Sequence, residues 1–228
     1  MPIFRLVKEI IFPKPEFAEP DGLLAIGGDL KPERLLAAYV NGIFPWFSEG
    51  NPILWWSPDP RTVLMLSDFK VSKSLKQSIK KNSFEIKFDT NFSEVIKQCA
   101  IVERKHEDGT WITKKMIKAY TELHKLGFAH SVETYFEGKL VGGLYGISLG
   151  KAFFGESMFH LKTDASKAAI YCLVEKLKKW DFNFIDAQVR TEHLISLGAK
   201  EISREIYLEL LENSMKVETK IGGWNLEE

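Results

Sequence analysis

The chain has 228 residues, enough for one or two domains at about 150 residues each. Its 45% hydrophobic and 27% charged residues are an ordinary globular balance, which excludes a disordered chain. Lys plus Arg and Asp plus Glu are both 31, so a uniformly basic nucleic-acid-binding chain is excluded and any such contact must come from a local patch.

The opening residues, 1–12, lack the apolar core and small-residue cleavage site of a signal peptide. No apolar run approaches the roughly 18–20 residues that span a bilayer. Cys99 and Cys172 lie in helix-like runs, a pattern that suits a reducing compartment and inert thiols. A soluble cytoplasmic protein without membrane partners is expected.

The first sixty residues are rich in Pro and Gly, with one clear helix. Pro32 suits its first position, Leu35, Leu36 and Tyr39 form its apolar face, and Gly42 supplies a left-handed cap. The string Trp55-Trp56-Ser57-Pro58-Asp59-Pro60-Arg61 cannot continue a helix, because each Pro removes an N–H and fixes φ. Regular elements follow, so the boundary is placed near Thr62, giving a small N-terminal domain (1–62) and a larger one (63–228).

In the second part Phe84, Ile86 and Phe88 alternate as a strand. A helix is predicted over 113–126, with Ile117, Tyr120 and Leu123 on one face and Gly127 as its stop. Strands over 130–136, 139–148 and 151–157 form a meander through Glu137-Gly138 and Leu149-Gly150. A helix over 165–179 follows, with Asp164 as its cap. A buried strand over 183–187 and helices over 191–197, closed by Gly198, and 204–212 complete the chain.

The fold class is therefore α+β, with a mixed, mainly antiparallel sheet. The order β-β-β-α-β-α resembles the core of the acetyltransferase (GNAT) superfamily. A CoA-binding member would open its helix with a Gly-rich turn, so that backbone N–H groups approach the pyrophosphate. Residues 160–167, His-Leu-Lys-Thr-Asp-Ala-Ser-Lys, contain no glycine, and CoA is not expected as the acyl donor.

Several further strings are too unusual to be packing alone. They are Asn41-Gly42-Ile43-Phe44-Pro45-Trp46-Phe47, Gly109-Thr110-Trp111-Ile112, Gly155-Glu156-Ser157-Met158-Phe159, Ala165-Ser166-Lys167 and Ile185-Asp186-Ala187-Gln188. Thr191-Glu192-His193-Leu194-Ile195-Ser196-Leu197-Gly198-Ala199 is the last. With the double-Trp string they resemble the leucyl/phenylalanyl-tRNA–protein transferases over roughly residues 12–208. The resemblance implies transfer of Leu or Phe, with Met as a further acyl group, from aminoacyl-tRNA to the N-terminal Arg or Lys of proteins, marking them for degradation. It implies no metal and no organic cofactor. A monomer is expected.

The resemblance assigns catalysis to Asp186 and Gln188. Asp186 would orient the incoming α-amine or accept its proton, and Gln188, two residues on along an extended strand, would face the same side. A competing reading has Asp186 capping the helix near residue 191 or pairing with an arginine. Glu156 is placed near the site, where a carboxylate suits a cationic acceptor; a sheet-edge salt bridge is its alternative. Tyr120, Leu144, Phe153, Gly155, Met158 and Trp111 are the expected substrate-binding set for a Leu or Phe side chain. Met adapts to both shapes. Trp46 and Trp111 are also candidates to stack on the terminal adenine, at about 1–3 kcal/mol per base.

For tRNA the best patch is 70–81. As a helix it would turn Lys73, Lys76, Lys80 and Lys81 outward and Leu75 and Ile79 inward, a ridge for phosphates; a plain solvated face is the alternative. The five histidines show no metal-ligand spacing, and His193 reads as structural. The chain departs from the family pattern at His160-Leu161, where Ser-Arg is usual, and at Leu144, which is Met in some relatives. Rival functions are an acyl-CoA N-acyltransferase, a peptidoglycan cross-bridge transferase using charged tRNA, and a tRNA-binding module without catalysis.

Overall fold

A computed structural model describes residues 3–82, 84–102 and 111–226, apart from the side chains of Ser74, Lys80, Asn82 and Leu226. Gly109 and Thr110 of the second unusual string therefore lie outside the described residues. β1 (Phe4–Leu6), β2 (Leu23–Gly27), α1 (Pro32–Val40), β3 (Phe44–Pro45) and β4 (Leu54–Trp56) come first. Their strands form a sheet ordered β1-β2-β4-β3. The double Trp holds it: Trp55 is fully buried and donates Nε1–H to the Gly27 carbonyl at 2.9 Å.

The larger sheet begins with β5 (Arg61–Met65), followed by α2 (Lys73–Asn82), β6 (Glu85–Phe88), α3 (Phe92–Ile101) and α4 (Lys114–Lys125). Then come β7 (Ala129–Phe136), β8 (Lys139–Leu149), β9 (Ala152–His160) and α5 (Ala165–Lys179). The chain ends with β10 (Phe184–Gln188), α6 (Glu192–Ser196), β11 (Lys200–Ile202) and α7 (Arg204–Met215). The strand order is β11-β5-β10-β9-β8-β7-β6. Among the described residues β9–β10 is its only parallel pair, so the sheet is mixed and mainly antiparallel, as expected.

Both faces of this sheet are covered, so side chains alternate between two cores. Leu144, Phe153 and Ile185 join Ala169, Leu173 and Leu177 of α5 on one side. Tyr145, Phe154 and Phe184 join Val95 and Ile96 of α3 and Met116 of α4 on the other. Gly146 is required where the layers meet: a Cβ there would lie 2.2 Å from the Phe154 carbonyl oxygen and 2.5 Å from the Phe153 ring. Gly146→Ala is expected to destabilise by about 1–3 kcal/mol through overpacking, measured by urea denaturation.

Several elements escape the sequence reading, β5 and α3 among them. β5 starts at Arg61, two residues before the expected boundary, and pairs with both β10 and β11. α3 was legible in the spacing of Phe92, Val95, Ile96 and Cys99, all buried. Asp164 is corrected: it has φ 66° and its side chain does not cap α5. Its carboxylate instead accepts from Ser78 Oγ at 2.7 Å and Lys167 Nζ at 3.0 Å, tying α2 to α5.

Beyond α7 the chain crosses back over the large sheet. Thr219 Oγ1 accepts from Gly150 N–H (2.9 Å), Gly222 N–H donates to the Gly127 carbonyl (3.2 Å), and Trp224 enters the α5 core with 2% exposure. No helix among the described residues is long and apolar enough to cross a membrane. No cluster of His, Cys, Asp and Glu among them is placed to hold a metal ion.

Candidate active site

β9 and β10 run parallel only as far as the pair Phe154↔Asp186. Past it β9 continues to His160 while β10 ends at Gln188, and a cavity of about 370 Å³ opens where they part. That volume lies within the usual range of small-ligand sites. β3 and its neighbour Trp46 close the near side, and Leu144, Phe153, Met158, Ile170, Leu173 and Ile185 form an apolar interior.

The polar end is built by two irregularities. In β9 Tyr145 pairs with Ser157 and Gly146 with Gly155, leaving Glu156 as an extra residue in a bulge that aims it into the cavity. In β10 Asp186 pairs with Val63 and Gln188 with Thr62, so Ala187 is extra there. Gln188 has φ 62°, a sparsely populated conformation for a residue with a side chain. The expected extended path from Asp186 to Gln188 is thus corrected: the backbone turns, and the two side chains point to different partners.

Glu156 is 9% exposed. Its Oε1 accepts from Tyr39 Oη at 2.7 Å and from Gln188 Nε2 at 2.9 Å. Tyr39 in turn hydrogen-bonds Tyr120. Burial pushes the Glu156 carboxyl up to about 7, against the opposing pull of hydrogen bonds from Tyr39, Tyr120 and Gln188, with the nearby Asp186 charge adding to the rise. Burial likewise raises Tyr39 and Tyr120, with the Glu156 charge next, so both phenols stay neutral donors.

Asp186 is fully buried and lies behind the cavity wall. Its Oδ1 accepts from Arg61 Nε (2.9 Å) and from Gln188 N–H (2.9 Å), its Oδ2 from Arg61 Nη2 (2.7 Å) and Tyr207 Oη (2.7 Å). Four donors fill the acceptor sites of a carboxylate. Of the readings given for Asp186, the arginine pairing is the one the geometry shows. Arg61 lies between the Phe44 and Tyr207 rings, 4.8 and 4.5 Å from their centroids. Although burial opposes its charge, the Asp186 carboxylate holds Arg61 protonated well above the usual arginine value. Arg61 Nη1 also donates to the Gly42 carbonyl (3.2 Å). Gly42 has φ 71°, and a Cβ there would lie 2.8 Å from the Tyr207 ring.

Of the residues expected to bind substrate, Trp46, Trp111, Leu144, Phe153, Gly155, Glu156 and Met158 line the cavity, as does Gln188. Tyr120 does not: it is fully buried behind Glu156, edge-on to Tyr145. Trp46 is 38% exposed, and its carbonyl accepts from Trp56 Nε1 at 2.7 Å. Tyr39, Arg61 and Tyr207 were missed as site residues. Arg61 ends the double-Trp string, which is the signal that could have found it.

Lys73, Lys76 and Lys81 are exposed on α2 above the buried Leu75; the Lys80 side chain lies outside the described residues. Cys99 is buried, and burial raises the half-buried Cys172 thiol to about 11, so neither is an activated nucleophile.

A family model described as Leucyl/phenylalanyl-tRNA protein transferase matches residues 63–212, and one for that family's N-terminal domain matches residues 28–59. The chain belongs to this family. A leucyl/phenylalanyl-tRNA–protein transferase of Thermodesulfovibrio yellowstonii is 57% identical over 99% of this chain and 92% of its own. That of Desulfatibacillum aliphaticivorans is 53% identical over 100% and 97%, and that of Syntrophobacter fumaroxidans 57% over 92% and 90%. Solved structures resemble the chain distantly. An aminoglycoside acetyltransferase from a soil sample has a TM-score of 0.37 at 12% identity, covering 52% of this chain and 86% of its own.

Proposed function

We propose that this protein, acting as a monomer, transfers Leu or Phe from aminoacyl-tRNA to the N-terminal Arg or Lys of acceptor proteins. The observation that carries the reading is a carboxyl held near pH 7 at the polar end of an otherwise apolar cavity. The acyl side chain enters the apolar interior, and the acceptor α-ammonium meets Glu156. Free α-amines titrate at about 7.7–8.0, so a carboxylate near 7 accepts that proton at small energetic cost. The amine nitrogen then attacks the ester carbonyl, the C–O bond to the tRNA breaks, and the departing ribose oxygen takes up a proton. Gln188 and Tyr39 hold Glu156 in place. Asp186 is a positioning residue: through Gln188 N–H it fixes the turn that aims the Gln188 amide.

Incubation with Leu-tRNA or Phe-tRNA and peptides beginning Arg, Lys or Met tests this by mass. A one-residue gain on the Arg and Lys peptides alone is expected. Equal gain on the Met peptide would remove the acceptor selectivity, and no gain on any would overturn the reading. The exposed α2 lysines supply the tRNA contact. Lys73→Ala, Lys76→Ala and Lys81→Ala together are expected to flatten the plot of log affinity against log salt by about 1 for each phosphate these lysines neutralise. An unchanged slope in filter-binding titrations would place the tRNA elsewhere.

A further inference from the structure

The C-terminal segment after α7 lies beyond the residues matched by the family model, which stop at 212. It is nevertheless locked down. Trp224 N–H donates to Asp89 Oδ2 at 2.7 Å, and the Trp224 carbonyl accepts from Lys176 Nζ at 3.1 Å. Its indole stacks on His130 with centroids 3.9 Å apart and planes 11° apart. The same His130 donates Nδ1–H to Asp89 Oδ2, 2.8 Å away. Trp180 stands edge-on to the indole at 5.1 Å.

What makes this packing functional is where it leads. The Trp224 ring lies 5.8 Å from the ring of Phe153, tilted by 42°, and Phe153 lines the cavity. Trp224 belongs to one continuous buried cluster with Leu144, Phe153, Ile170, Leu173 and Ile185. All five of those partners line the cavity. Phe153 cannot move toward Gly146 either, because β8 already presses against it there. Its freedom to retreat from the cavity depends on the volume that Trp224 fills.

We propose that Trp224 is the specificity-positioning residue of the acyl cavity: by backing Phe153 it limits cavity depth and favours leucyl over phenylalanyl donors. This rests on the aminoacyl-transfer reading above. An indole of this size, buried with its Nε1–H lacking a hydrogen-bond partner, is retained for its shape, so Phe at this position sacrifices no hydrogen bond. Emptying the space behind Phe153 lets the ring recede and the wider phenylalanyl group enter. Differences of a methylene or two in an apolar pocket are worth roughly 10–200-fold in kcat/KM.

The test measures kcat/KM with Leu-tRNA and with Phe-tRNA, on an Arg peptide, for the full-length protein and for Trp224→Phe, Trp224→Leu and Trp224→Ala. The ratio of Phe to Leu is expected to rise stepwise as the side chain shrinks, by about 10-fold at Trp224→Ala. A merely structural role would lower both donors together and leave the ratio fixed, which overturns the proposal. If Trp224→Ala does not fold, Trp224→Phe and Trp224→Leu decide, since each keeps an apolar side chain in the cluster. If the parent protein transfers neither donor, the underlying reading fails and this proposal with it. Transfer by the parent with an unchanged ratio in the variants defeats this proposal alone.

Discussion

Asp186→Ala is expected to destabilise the protein by about 3–5 kcal/mol and to abolish aminoacyl transfer. The stability loss follows from Arg61, whose side chain is fully buried and would be left without its counter-charge. The loss of activity follows from Gln188, whose N–H would lose its acceptor and whose left-handed turn would lose its tether. The two effects separate in the double variant Arg61→Met with Asp186→Leu. Replacing both charges by apolar groups of similar size is often neutral, and Met can lie between the Phe44 and Tyr207 rings. Much of the stability should return while transfer stays absent. Urea denaturation and peptide mass read the two quantities. If the single alanine variant unfolds at the parent's urea midpoint, the buried pair is not what holds this region.

Glu156→Gln has the second large effect, and here stability and activity move in opposite directions. Removing the proposed proton acceptor is expected to slow transfer by about 10²–10⁴-fold. Parent activity should rise with pH through about 7, the value to which burial first of all raises Glu156, and the residual activity of the variant should lose that inflection. For stability, a carboxyl whose folded value is raised is favoured in its neutral form. The fold is therefore helped below the unfolded value near 4.5 and progressively loses that help as pH climbs toward 7. A rise from 4.5 to about 7 corresponds to a cost of about 3 kcal/mol above pH 7. Gln lacks that cost and can still accept from Tyr39. Glu156→Gln should thus melt higher than the parent at pH 8, with the difference closing toward pH 5. A variant that melts lower at pH 8 would contradict a carboxylate strained by burial.

Most of the fold was legible because its signals are local. Gly42 and Pro32 bracket α1, Thr113 caps α4 by accepting from Met116 N–H, and Glu137-Gly138 and Leu149-Gly150 mark the turns that join β7, β8 and β9. Part of the cavity wall was legible too: Trp46, Gly155, Met158 and Ile185 stand in strings of unusual composition and line the cavity. What failed was everything set by distant partners. Asp164 precedes α5 as a cap should, yet Ser78, 86 positions away, takes its carboxylate. Pairing of Asp186 with an arginine was an open alternative, yet nothing local names Arg61, 125 positions earlier, as the partner. The bulges that displace Glu156 and Ala187 leave no mark in hydrophobic period, because both faces of these strands are buried. Tyr120 has the composition of a pocket residue but serves the carboxylate from behind.

The separation of these partners governs how the molecule comes into being. Tyr39 meets Glu156 across 117 positions, and Tyr207 meets Asp186, itself 125 positions from Arg61. Closing loops of that length carries an entropic cost that local elements do not offset, and topologies dominated by such contacts fold slowly. A chain emerging from the ribosome has α1 and Arg61 long before it has β10 or α7. Until the last fifth of the sequence is made, Arg61 has no counter-ion and Glu156 no amide to orient it. An enzyme that consumes charged tRNA thus lacks its candidate centre through the first four-fifths of its own translation.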